Sequence, residues 1–174
     1  MKYGWAVVAL MVVALAPSMA QAQLGSAAVY GEYTATHLQN APLADYIYGA
    51  TTGLLLSRPE LSHHMVLSVD IQGRFVNSNG ETLHSVTFGP RLAIRAPKFK
   101  LNPFIEFNGG FGQYSDASVK NSADNLFGGE FGVTRPIASR LSLVVDYSYM
   151  HYAYRYSLYA PQSYSAGLVF YLKH

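Results

Sequence analysis

Leu141-Ser-Leu-Val-Val-Asp-Tyr-Ser-Tyr149 decides the fold of this chain. Leu141, Leu143, Val145, Tyr147 and Tyr149 alternate with Ser142, Val144, Asp146 and Ser148. A period of two means an extended strand with one apolar face and one largely polar face. The same rhythm runs from about Val29 to Leu172 and predicts eight strands. They are Ala27–Thr36, Tyr46–Leu56, His64–Phe75, Thr82–Arg95, Pro103–Gln113, Leu126–Arg135, Arg140–Tyr152 and Tyr164–Leu172. Each is near the roughly 9–11 residues that a tilted strand needs to cross a hydrocarbon core.

The start of the chain reads as a removable secretory leader, residues 1–22. Lys2 supplies the positive end, Trp5 to Ala16 is apolar but short for a span, and Ala20-Gln21-Ala22 fits small-x-small cleavage. Residues 23–174 then form one domain. Only 13% of the residues are charged, below the roughly 25% usual in soluble domains. The 14 Tyr suit amphipathic rings at a membrane interface. A net charge of +2 gives no electrostatic case for nucleic acid. The absence of Cys excludes disulfides and thiolate metal sites.

The connections alternate in character. Ser57–Glu60, Ala96–Lys100 and Pro136–Ser139 read as compact turns. His37–Asp45, Val76–Glu81, Tyr114–Asn125 and Ala153–Ser163 read as loops, mostly longer. Short turns at one end and longer loops at the other mark a transmembrane barrel, with both termini on the periplasmic side. The prediction is an all-β, eight-stranded, antiparallel up-and-down transmembrane barrel in the cell outer membrane. Pro90 falls inside the fourth strand, where a bulge or kink is expected. Leu55 and Val144 fall on the polar face, as ordinary interior packing.

Leader, eight alternating strands and the last strand Tyr164-Ser-Ala-Gly-Leu-Val-Phe-Tyr-Leu172 together resemble the small OmpA/OmpX/OmpW-like outer-membrane β-barrel superfamily. In the last strand Leu168, Phe170 and Leu172 alternate as in the signal that the barrel-assembly machinery reads in that family. Lys173 and His174 follow, where the family usually ends on an aromatic residue. The resemblance implies a monomer in outer-membrane lipid, inserted by that machinery. It also brings in a narrow solute channel, as proposed for OmpW-like relatives, as the runner-up function.

Most strand charges share the polar face: Glu32, Asp70, Glu106, Glu130 and Asp146 against Arg74, Arg91 and Arg95. An eight-stranded barrel is just wide enough for side chains to fill it. These eight are therefore expected to form an ion-paired network plugging the lumen, with Asp146 holding a buried Arg. No cofactor and no metal are expected, since adjacent His63 and His64 would point to opposite faces. No catalytic assignment is made, and the chain is not read as an enzyme. His151 with Ser148 or Ser157 is similar in kind to outer-membrane lipid A deacylases but lacks their His-x-Ser spacing; Ser85 directly after His84 lacks it too. In the run Tyr147 to Tyr164, Tyr147, Tyr149 and Tyr164 read as an interfacial girdle. Tyr154, Tyr156 and Tyr159 are candidate loop contacts for a surface or extracellular partner.

Overall fold

A computed structural model describes residues 26–38, 46–58, 64–78, 80–96, 100–115, 122–152 and 160–172. The eight strands are β1 (Ser26–Leu38), β2 (Tyr46–Ser57), β3 (Met65–Ser78), β4 (Glu81–Ile94), β5 (Asn102–Ser115), β6 (Ser122–Ala138), β7 (Leu141–Tyr152) and β8 (Pro161–Tyr171). Each pairs antiparallel with its neighbour in sequence, and β1 pairs with β8, closing the barrel. Closure leaves no unpaired edge, which is what lets a sheet sit in lipid.

The register fixes the barrel's dimensions. Stepping between paired residues runs Ser26, Ser57, Ser68, Arg91, Glu106, Glu130, Ser148, Ser163 and back onto β1 at Thr36. One circuit therefore climbs ten residues along β1. With ordinary strand spacings, that stagger over eight strands tilts them by roughly 40° and lifts each residue by about 2.5 Å along the barrel axis.

Alternation decides which face is which. Glu106 is 1% exposed, whereas Phe107 beside it is 68% exposed. Ile71, Phe75, Val86, Ile105, Phe131, Val145 and Leu168 are all exposed on the outside, and the charged set, Arg95 excepted, is buried inside. A soluble barrel would have the reverse arrangement, so the apolar exterior is a lipid-facing surface.

The strands run longer than their polarity suggests. Val76–Glu81 is not a loop: β3 continues to Ser78, β4 begins at Glu81 opposite it, and only two residues connect them. Asn79-Gly80 is a strong hairpin signal, and Gly80 has φ 86°, where glycine pays no Cβ penalty. Tyr114, Ser115 and Ser122–Asn125 likewise belong to β5 and β6. Backbone pairing needs no apolar side chain, so polar strand ends read as loops.

Two backbone expectations change. Pro90 produces no bulge. It pairs opposite Val69, and the β4–β5 register is the same before and after it, from Phe88↔Gly109 to Arg91↔Glu106. The ladder to β5 merely lapses at Gly89 and Pro90. The irregularity instead lies between Pro136 and Ala138, so Pro136–Ala138 is bulged strand and not turn. There Pro136, close to the end of the strand, disturbs few bonds.

Candidate functional site

The lumen is built in three layers. The middle layer holds Glu32, Asp70, Arg74, Arg91, Glu106, Glu130 and Asp146, all buried. Toward the loop end, Leu38, Ile47, Val76, Leu83, Tyr114, Leu126, Met150 and Tyr152 form one apolar cluster drawn from seven strands. Toward the turn end, Ala28, Tyr30, Leu55, Phe104, Val144 and Val169 form a second. Leu55 and Val144 pack inside, as the sequence suggests. The interior is thus not simply polar. A charged chamber lies between two apolar plugs.

Within the chamber two ion-paired groups form. Tyr30 Oη donates to both Asp70 carboxylate oxygens at 3.0 Å. Asp70 Oδ2 lies 3.7 Å from Arg91 Nη1, and the Arg91 guanidinium lies over the Phe104 ring, 3.4 Å from its centre. A charge buried this way is held by pairing and by stacking on the ring. Gly53 makes room for Tyr30, because a Cβ there would run into its ring.

The second group centres on Arg74. Its Nε donates to Thr51 Oγ1 at 3.1 Å, Nη1 to Ser163 Oγ at 2.9 Å, and Nη2 to Gln72 Oε1 at 3.3 Å. Nη2 also lies 3.9 Å from Glu130 Oε2, which accepts from Gln72 Nε2 at 3.2 Å. Hydroxyls extend the network: Thr34 lies 2.7 Å from Thr51 and 3.2 Å from Ser165, and Thr36 lies 2.8 Å from Ser163.

The network does not close on itself. Neither carboxylate oxygen of Glu106 or Asp146, and neither amide atom of Asn108, has a hydrogen-bond partner. Asp146 is therefore not the ion-pair partner of a buried Arg, contrary to expectation. Its β6 partner position is Gly132, with no cation to offer, and Arg74 is committed to Glu130, Thr51 and Ser163. Among the described residues the chamber sets five carboxylates against two guanidiniums.

Arg95 also departs from the expected network. It follows β4, is exposed, and lines the turn-end mouth with Lys100, Asn102 and Tyr171. Its inward parity is right, but the chamber lies several residues further in. The residues missed by sequence reading are Tyr30 and the loop-end plug. Tyr30 shares the parity of Glu32 and Thr34, a signal that was there to use.

On the outer wall, the Tyr147 ring lies between those of Phe131 at 5.2 Å and Tyr164 at 5.1 Å, tilted against both. Tyr33 and Tyr48 stack at 6.3 Å. Three histidines meet aromatic rings directly across the ladder: His37 with Tyr46, His84 with Phe75, and His151 with Phe127. Allowing for the stagger, these three histidines sit within about 2 Å of one height at the loop end. Ser148 and Ser85 are buried in the lumen, whereas His151 and His84 lie on the outer wall, so the barrel wall separates each serine from its histidine. Tyr152 turns inward into the plug instead of joining the loop run. Tyr154, Tyr156, Tyr159, Ser157, His63 and the leader lie outside the described residues.

No protein-family model matches the chain, and no curated relative matches it. Solved structures do. Neisserial surface protein A (NspA) matches at 12% identity and a TM-score of 0.57, covering 83% of this chain and 96% of that one. Ail, the attachment invasion locus protein of Yersinia pestis, matches at 8% identity and 0.53, covering 84% and 97%. A de novo designed transmembrane β-barrel matches at 17% identity and 0.52, covering 86% and 98%. A designed barrel among the matches underlines that the likeness concerns architecture. The chain has the fold of the small eight-stranded outer-membrane β-barrels.

Proposed function

We propose that the protein is a bacterial outer-membrane barrel that serves as a closed scaffold and carries its activity in the external loops. One observation carries this reading: a buried apolar cluster lies on each side of the charged chamber, toward either mouth. An open ion path needs a continuous polar lining, and apolar constrictions shed water. Function then moves to the segments beyond the loop-end plug, including Tyr154, Tyr156 and Tyr159, as contacts for a surface or extracellular partner. The names of two structural neighbours, a surface protein and an attachment invasion locus protein, are in keeping with that role. In this reading the turns and termini face the periplasm, the assembly machinery inserts the chain, and it works as a monomer.

A narrow cation path is the second reading. It is favoured by the excess of lumen carboxylates and the unpartnered Glu106, Asn108 and Asp146. Planar-bilayer recording of the refolded protein separates the two. The scaffold reading expects folded, inserted and electrically silent protein, with folding checked by a heat-dependent gel shift. Reproducible discrete steps would overturn it, and cation selectivity of those steps would point to the chamber carboxylates.

A further inference from the structure

Charge on this barrel is sorted by position. Among the described residues, every Lys and Arg outside the lumen lies at the turn end: Arg58, Arg95, Lys100, Arg135 and Arg140, all exposed. Among the described residues, the carboxylates outside the chamber, Glu81 and Asp124, lie at the opposite end, in the first residues of β4 and β6. The five cations span the wall from the end of β2 to the start of β7. Allowing for the stagger, they fall within about 6 Å of one height.

That height is meaningful. It lies about 27 Å along the axis from the level of His37, His84 and His151, close to the roughly 25 Å of a barrel's apolar band. Between the two levels the outer wall carries residues such as Val86, Phe107 and Phe131. Arg135 marks the edge directly. It faces outward two positions past Val133, in the same row as Phe131. The cations therefore sit where lipid headgroups begin. Two of them, Arg95 and Lys100, also line a mouth cavity of about 440 Å³ with Asn102, Ser139, Ser142 and Tyr171. Lys100 holds φ 51°, an uncommon backbone setting for a non-glycine residue, at this rim.

We propose that the turn end is a belt for phosphate-bearing headgroups of anionic glycerophospholipids in the leaflet it faces, with the mouth cavity taking one such group. The inference rests on the membrane-barrel reading. Basic residues held near an anionic surface each favour it by about a factor of five before screening. Arg135 supplies the outward contact, Arg58 and Arg140 stand near the same level at the strand ends, and Arg95 and Lys100 supply the cavity.

The test uses the full mature protein refolded into phosphatidylcholine vesicles with and without phosphatidylglycerol. A heat-dependent gel shift first establishes insertion. Failure to insert in either mixture would overturn the membrane reading itself. Spin-labelled phosphatidylglycerol and phosphatidylcholine are then compared for the fraction held at the protein wall. A several-fold preference for phosphatidylglycerol is expected, shrinking between about 0.05 M and about 0.5 M salt as screening lengths fall. The variant carrying R58Q, R95Q, K100Q, R135Q and R140Q should insert and lose that preference. Equal fractions for both lipids in inserted wild-type protein would overturn the proposal and point to a soluble acidic partner. Loss of the preference on adding inorganic phosphate at constant ionic strength would assign the cavity to a free anion and overturn the lipid assignment.

Discussion

Asp70 and Asp146 are both buried carboxylates on lumen-facing positions, yet their removal should have opposite consequences. Asp70 is fully buried, accepts from Tyr30 Oη through both oxygens, and pairs with Arg91 at 3.7 Å. Asp70→Ala strands a guanidinium and a hydroxyl in the chamber. Breaking a buried ion pair from one side costs about 3–5 kcal/mol. An orphaned hydroxyl adds about 1–3 kcal/mol. Two features soften the loss: Arg91 keeps its stacking on Phe104, and Glu106 stands across the ladder from it. The net expectation is a loss of about 3–5 kcal/mol. Asp146→Asn instead alters a buried carboxyl group whose oxygens have no hydrogen-bond partner. It should leave stability within about 1 kcal/mol of the parent, or raise it. Residues 23–174 contain no Trp, the one Trp being Trp5, so unfolding of that segment in urea is followed by far-ultraviolet circular dichroism and gel shift in vesicles. Equal losses for the two variants, or a loss below about 1 kcal/mol for Asp70→Ala, would refute this assignment of partners.

Two further perturbations probe the wall and the lumen. Val145→Arg places a charge roughly 11 Å above the cation level, near the middle of the apolar band, whereas Leu143→Arg lies only about 6 Å above it. Insertion should weaken by about 2–4 kcal/mol for Val145→Arg and by about 1 kcal/mol for Leu143→Arg, measured as reversible folding into vesicles. Equal effects would mean that the register-based heights are wrong. Gly53→Ala puts a methyl against the Tyr30 ring and should cost about 1–3 kcal/mol in the same urea assay, with an unchanged midpoint counting against the packing described.

The sequence determined the architecture because a period of two repeated over eight segments admits few solutions. It also determined which residues share a wall face, since parity along a strand is fixed once one residue is placed. Leu141–Tyr149 and the shared face of Glu32, Asp70, Glu106, Glu130 and Asp146 were legible on that ground, whereas the leader, the low charge and the uneven connections argued that this face turns inward. Parity says nothing about height, however. Only the ten-residue stagger brings Arg74 to Ser163, eighty-nine residues away, and carries Arg95 out to the mouth. The sequence could not tell which carboxylate each Arg would choose, because partners across a lumen are set by the stagger and by the space that glycines such as Gly53 leave. The plug was hidden for a related reason. Val76 falls in a stretch that read as a loop, Leu83 lies at the polar start of the fourth strand, and Tyr152 sits in a run of tyrosines. Their common destination exists only when seven strands, none with enough apolar surface alone, converge on one layer.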